Sequence, residues 1–218
     1  MEPTKVNAIS AKLVVELFPG RGVALREGRV RKLFASAITP DGLKNYLDSI
    51  LDTGWVYVIK GKQGTGTERI LGRVLNAAVE KGYDIEAYYC ALNPNKLEHI
   101  VIPEMDVSIT TVNDYHESSV VPYMIADMDE LLDKKALEPN LEALLDGKTC
   151  FESLLDMAVG YIKKAKVIHD HMEKFYVPNM NFTAIEECMK KTLDRILGYA
   201  GESQANNLAE HENAEVHA

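Results

Sequence analysis

The stretch Trp55-Val56-Tyr57-Val58-Ile59-Lys60-Gly61-Lys62-Gln63-Gly64-Thr65-Gly66-Thr67-Glu68 decides how the rest of the chain is read. Its first six residues are rich in β-branched and aromatic types, the composition of a strand. A glycine-rich turn follows at once. From Arg69 to Lys81 the apolar residues Ile70, Leu71, Val74, Leu75, Ala78 and Val79 recur at helical spacing, and Gly82 closes the helix. Strand, glycine loop and helix in that order match a phosphate-binding loop: Gly, four residues, Gly, Lys, then Ser or Thr. The glycines let the backbone curl so that successive N–H groups converge on one anion. The helix adds the partial positive charge of its N-terminus.

Two positions depart from that pattern. Thr67 stands where a lysine reaches the β- and γ-phosphates, and Glu68 stands where a hydroxyl holds magnesium. A hydrogen bond to a charged group contributes about 1.5–3 kcal/mol. Loss of the lysine therefore predicts a loss of roughly ten- to a hundredfold in nucleotide affinity, and a larger loss in hydrolysis. Three roles stay open for Glu68. It repels polyphosphate, it binds Mg²⁺ directly, or it folds into the loop and takes the place of the anion. Lys62, second in the loop, has two readings. It is a solvated lysine, or it substitutes for the missing one, as the signature lysine of some P-loop ATPases does across a dimer. The candidate nucleotide site is Gly61, Lys62, Gln63, Gly64, Thr65, Gly66, Thr67 and Glu68, with ATP and Mg²⁺ as the implied ligands.

Outward from the loop, Tyr83–Cys90, His99–Ile102 and Val107–Thr110 read as strands, and Leu33–Ile38 as an earlier buried one. Thr39-Pro40-Asp41-Gly42 reads as a helix start running to about Leu51, and Lys12–Leu17 as a short strand. The order implies an α/β, P-loop NTPase-type three-layer fold: a mainly parallel sheet flanked by helices, with a helical C-terminal part. Beyond Tyr123 helical spacing prevails, broken at Val177-Pro178-Asn179, with a last helix over about 184–199. The expected organisation is an N-terminal extension at 1–27, the P-loop NTPase-like domain at 28–200 and a disordered acidic tail at 201–218.

A parallel sheet binds ligands at its carboxyl edge. Glu104, after His99–Ile102, is the candidate metal ligand there, with Asp106 beside it. Asp114 and His116 follow the next strand and face the same edge, in what otherwise reads as a surface loop. His169 and His171 are two apart on a helix, diverge, and are read as surface residues. Arg21, Arg26, Arg29, Arg31 and Lys32 form a basic cluster, read as charge-balancing or as a phosphate-facing edge.

The net charge of −9 argues against nucleic acid and anionic membranes as partners. No apolar run approaches the roughly 18–20 residues of a membrane span, and the first residues lack the layout of a signal peptide. Cys90, Cys150 and Cys188 fit no zinc or redox spacing. Reduced thiols are expected, and with them a cytoplasmic location.

Arg31-Lys32-Leu33-Phe34-Ala35-Ser36-Ala37-Ile38-Thr39-Pro40-Asp41-Gly42 resembles a motif of an uncharacterised bacterial family of predicted P-loop ATPases. So do Val58-Ile59-Lys60-Gly61 with the glycine loop, His99–Glu104 and Tyr176–Met180. Members of that family hold two P-loop modules in tandem, and this chain resembles the second alone, over roughly 28–200. The resemblance implies ATP binding and either a homo-oligomer or a separate P-loop partner chain. Thr67 and Glu68 depart from the family loop and set hydrolysis in doubt. Three functions follow: a nucleotide-binding module with weak or no hydrolysis, an active ATPase or small-molecule kinase using Lys62 or a partner residue, and a non-binding interaction module.

Overall fold

The structure is a computed structural model. It describes residues 3–215 apart from residue 63, with side chains described over 4–201 apart from residues 63 and 134. The elements in chain order are α1 (Pro3–Leu17), β1 (Val30–Phe34), β2 (Ser36–Thr39), β3 (Gly42–Asn45), α2 (Leu47–Ile50), β4 (Trp55–Lys60), α3 (Thr67–Glu80), β5 (Ile85–Cys90), β6 (Asn93–Ile102), β7 (Val107–Val112), β8 (Met124–Asp127), α4 (Lys134–Leu137), α5 (Leu141–Tyr176) and α6 (Phe182–Glu215). The chain divides into two compact units, 1–165 and 166–218.

The first unit is built on a six-stranded sheet in the order β1-β5-β6-β7-β4-β8. β1 pairs with β5, and β4 with both β7 and β8, all in parallel. β6 runs antiparallel to both of its neighbours. Five strands therefore share one direction and β6 opposes them. The expected α/β class with a mainly parallel sheet holds at this level.

The segments expected as strands at 55–60, 83–90, 99–102 and 107–110 and the helix expected at 69–81 correspond to β4, β5, β6, β7 and α3, with ends moved by a few residues. α3 is held by its apolar stripe: Ile70, Leu71, Val74 and Ala78 are wholly buried. They meet Ile59, Ile85, Ala87, Ile100, Ile102 and Ile109 of the sheet in one core. A second, smaller core on Ala35, Leu47, Leu51, Tyr88 and Val101 covers other sheet residues. Alternation along β5 and β6 divides them between the two: Ala87, Ile100 and Ile102 belong to one core, Tyr88 and Val101 to the other.

Three local expectations are corrected. Lys12–Leu17, expected as a strand, is the end of helix α1. Val6, Leu13 and Leu17 are buried in the core beside α3, and half-buried Ile9 packs with them. The intervening Ser10 satisfies its buried hydroxyl on the Val6 carbonyl at 3.1 Å and accepts from Arg73 at 3.0 Å. The segment set apart as an extension thus contributes to the core.

Leu33–Ile38 is not one strand but β1 and β2, interrupted at buried Ala35. Thr39-Pro40-Asp41-Gly42 does not start a helix; it turns the β2–β3 hairpin. The Thr39 hydroxyl donates to the Gly42 carbonyl at 2.7 Å and accepts from the Asp41 N–H. Gly42 sits at φ 98°, which closes the turn. The helix expected up to Leu51 is reduced to the single turn α2.

The basic cluster is engaged within the fold. Arg26 and Arg29 pair with Asp84, Arg31 with Glu86, and Arg21 stacks over the Tyr83 ring. These contacts favour the charge-balancing reading.

The second unit, 166–218, holds the end of α5, a tight turn at Val177–Asn179 and α6. The break lies where the sequence placed it. Asn181 starts α6 by accepting the Ala184 N–H at 3.1 Å. The expected tail at 201–218 falls on the end of α6 and on 216–218, the last three being outside the described residues. Among the described residues no helix is long and apolar enough to cross a membrane. Cys90, Cys150 and Cys188 are free thiols.

Candidate functional site

Two polar features occupy the carboxyl edge of the parallel strands. The first is the glycine loop between β4 and α3. Gly61 is walled in: a Cβ there would lie 2.5 Å from Thr65 Oγ1, 3.1 Å from Met128 Cβ and 3.2 Å from Thr67 Cγ2. The Thr65 hydroxyl and N–H both bond the Lys62 carbonyl, at 2.6 and 3.2 Å. Gln63 itself lies outside the described residues. Gly64 and Gly66 stand at φ 83° and 76°, a conformation that disfavours any side chain. Gly66 is the N-cap of α3 and offers no capping side chain. Among the described residues, the N–H groups of Gly64, Gly66, Thr67 and Glu68 have no acceptor.

Thr67 is buried and lays its methyl against Gly61. Glu68 is half-buried, and no hydrogen bond or ion pair engages its carboxylate among the described residues. Among the described residues it satisfies none of the loop N–H groups. The Lys62 N–H is taken instead by Asp129 Oδ1 at 3.1 Å.

Asp129 belongs to a network that the sequence reading missed. β8 ends at Asp127, alongside Lys60 in the register. Lys60 Nζ lies 3.1 Å from Asp127 Oδ2, and Asp127 Oδ1 accepts the Asp129 N–H at 2.9 Å. The hydrogen bond from Lys60 holds the Asp127 carboxyl below its ordinary range, so it is an anion at neutral pH. The signal was Met124-Ile125-Ala126-Asp127, a short apolar run ending in an acid. Four residues are too few to separate from the helical spacing that follows.

Glu104 and Asp106 lie elsewhere. Because β6 runs backwards, its last residues pair with the first of β7, and the Asp106 carbonyl accepts the N–H of Trp55 at the start of β4. Glu104, the expected metal ligand, therefore stands at the opposite end of the sheet from the glycine loop. The length of β4 separates them, roughly 20 Å, and Glu104 cannot share an ion with a phosphate held in the loop. Asp114 does lie at the carboxyl edge, exposed and paired with Lys148 at 2.8 Å. His169 and His171 are exposed, as expected.

The second feature is a buried polar cluster. His116, expected in a surface loop, is 5% exposed, Glu98 2% and His99 1%. A β-bulge creates the arrangement. Tyr88 pairs with His99 and Tyr89 with Leu97, so Glu98 is an extra residue with no partner on β5. In a regular strand neighbours point to opposite faces; a bulge re-aims the extra side chain. Glu98 thus joins His99 and His116 in one cluster rather than pointing away from it. Ser36 Oγ and His116 Nε2 are 3.2 Å apart, and His99 Nδ1 and Thr110 Oγ1 2.7 Å. Lys96 Nζ bonds Glu98 Oε1 at 3.1 Å.

Burial pushes His99 down to about 3, helped by the charges of His116 and Lys96. Burial also lowers His116, against the pull of Glu98. Both imidazoles are neutral at pH 7. A small cavity of about 30 Å³ adjoins the cluster, lined among others by Ser36, Cys90, Glu98, Asn113 and His116. No protein-family model, curated protein or solved structure matches the chain.

Proposed function

We propose that the loop 61–68 binds the phosphate groups of a nucleotide, ATP with Mg²⁺, and that turnover is slow or absent. The observation that carries this reading is the row of N–H groups from Gly64, Gly66, Thr67 and Glu68 that have no acceptor among the described residues, at the head of a helix whose dipole favours an anion. The Glu68 carboxylate, which would make the loop self-satisfied, is not bonded within it among the described residues. The fit to Mg²⁺ rests on carboxylates: Asp127 at the end of β8 and Glu68 in the loop are hard oxygen donors. Magnesium would supply charge neutralisation between phosphates. The chain's own part is to orient them by backbone N–H groups and by the exposed Lys62. No lysine follows Gly66, so the transition-state charge lacks its usual partner. A cation supplied by a second copy of the chain, or by a separate P-loop chain, belongs to the alternative of an active ATPase or small-molecule kinase. The resemblance of the loop and its flanks to predicted P-loop ATPases supports ATP over other anions.

Calorimetric titration of the protein with Mg²⁺ and ATP tests this. Saturable binding below millimolar concentration is expected, with no phosphate release. Thr67→Lys combined with Glu68→Ser restores one charge-assisted bond and should tighten binding by about ten- to a hundredfold. A parent protein that leaves ATP unbound at millimolar concentration refutes the reading. Turnover that disappears in Lys62→Ala would replace it with the active-enzyme alternative.

A further inference from the structure

The buried cluster carries an inference independent of the glycine loop. Two imidazole nitrogens in it, His99 Nε2 and His116 Nδ1, are fully buried and have no hydrogen-bond partner among the described residues. A buried polar atom left unpaired costs about 1–3 kcal/mol, and two in one cluster call for a common explanation. Both rings are oriented by the opposite nitrogen: His99 Nδ1 lies against Thr110 Oγ1 and His116 Nε2 against Ser36 Oγ. An outer hydrogen bond that fixes the ring and leaves one nitrogen inward is how metal-binding histidines are held. Glu98 Oε2 lies 3.5 Å from His116 Nδ1, too loose for a hydrogen bond. One ligand atom from each of Glu98, His99 and His116 falls within 4.8 Å of the others.

We propose that Glu98, His99 and His116 bind a single divalent transition-metal ion of the zinc type, with a fourth position open toward the adjoining cavity. Two imidazoles and one carboxylate form the donor set of three-ligand zinc sites that keep one position free. Zinc–nitrogen bonds of about 2.0–2.1 Å require the ligand atoms to close by on the order of 1 Å. Glu98 owes its place to the bulge and His99 to its neighbouring register position, so one strand supplies two ligands that a regular strand would send to opposite faces. The cavity of about 30 Å³ has room for a water or hydroxide. Lys96, whose side chain is 26% exposed, turns to solvent when the ion neutralises Glu98. A serine–histidine–glutamate relay through Ser36, His116 and Glu98 explains fewer of the facts, because it leaves His99 Nε2 without a partner.

The test uses the full chain, stripped with chelator and titrated with Zn²⁺ and with Co²⁺. Binding of one ion per chain is expected, with a rise in Tm reversed by EDTA and the intense visible bands of low-coordinate Co²⁺. His99→Gln and His116→Gln should each weaken Zn²⁺ by more than the roughly ten- to hundredfold typical of losing an outer-shell partner. His169→Gln, which alters an exposed cluster with Asp170 and Glu173, should change nothing. X-ray absorption of the zinc-loaded parent covers the case in which the buried variants fail to fold. A first shell of nitrogen and oxygen with two imidazoles supports the site. No zinc binding by the parent, a sulfur-containing shell, or binding abolished by His169→Gln overturns it.

Discussion

Lowering the pH from 7 to 4 in the presence of chelator is expected to remove about 3 kcal/mol of stability through His99 alone. The imidazole titrates near 6.5 in the unfolded chain and near 3 in the folded one, because burial excludes its charged form. Between those values the unfolded state binds more protons than the native state. The stabilisation is complete above pH 6.5, falls as the pH drops through 6.5, and stops falling only near pH 3. Each unit in that window is equivalent to about 1.4 kcal/mol. His116, lowered by burial, adds in the same direction. The paired carboxylates Asp84, Asp114 and Asp127 also lose stabilisation in acid, but only as they protonate below their unfolded value near 4, so the upper part of the window belongs to the histidines. Urea unfolding at pH 7, 5.5 and 4 measures the loss, and His99→Gln should flatten its dependence on pH. A midpoint indifferent to pH over this range would mean that His99 is solvated.

Leu71→Ala should destabilise the first unit by about 2–5 kcal/mol, the range for deleting a wholly buried leucine. Leu71 has no exposed surface and lies between Ile70 and Val74 on the stripe that holds α3 to the sheet. Leu71→Met keeps most of the volume and should lose less than about 1.5 kcal/mol. The contrast separates packing from any special requirement for leucine. With a total stability of about 5–15 kcal/mol for an ordinary domain, the alanine variant should show a sharply lower urea midpoint at unchanged slope. Equal losses in the two variants would show that the site does not discriminate by volume.

The strand, glycine loop and helix were legible because three independent signals coincide there: β-branched composition, glycines and a 3.6-residue stripe. Other features were not, for identifiable reasons. Lys-Leu-Val-Val-Glu-Leu at 12–17 looks like a strand taken alone; its helical character lies in Val6, Leu13 and Leu17, spread over twelve residues of α1 with Ser10 hiding a bonded hydroxyl among them. Thr39-Pro40-Asp41 fits a helix start and a hairpin turn equally well, and Gly42 at positive φ decides it. The direction of β6 was readable in principle. A parallel return needs a crossover of about a dozen residues or more, and Pro103-Glu104-Met105-Asp106 provides four. That short turn carries Glu104 away from the loop. The histidine cluster was out of reach, since it draws on β2, β6 and the segment after β7 and depends on a one-residue bulge that no composition announces.

The reversal of β6 also bears on the order in which the sheet assembles. β5, β6 and β7 form a meander joined by turns of two and four residues. Pairing β1 with β5, or β4 with β7, closes loops of roughly 50 residues, an entropic handicap of about 2 kcal/mol relative to the tight turns. The meander is therefore the least costly nucleus, and the parallel strands dock onto it later. Transition-state φ-values should be high for Ile100→Val and Ile109→Val and near zero for Val30→Ala. A nucleus centred on β1 would contradict that order. Glu98 and His99 would then already be side by side, on a strand paired to its neighbours, before the glycine loop has a sheet to sit on.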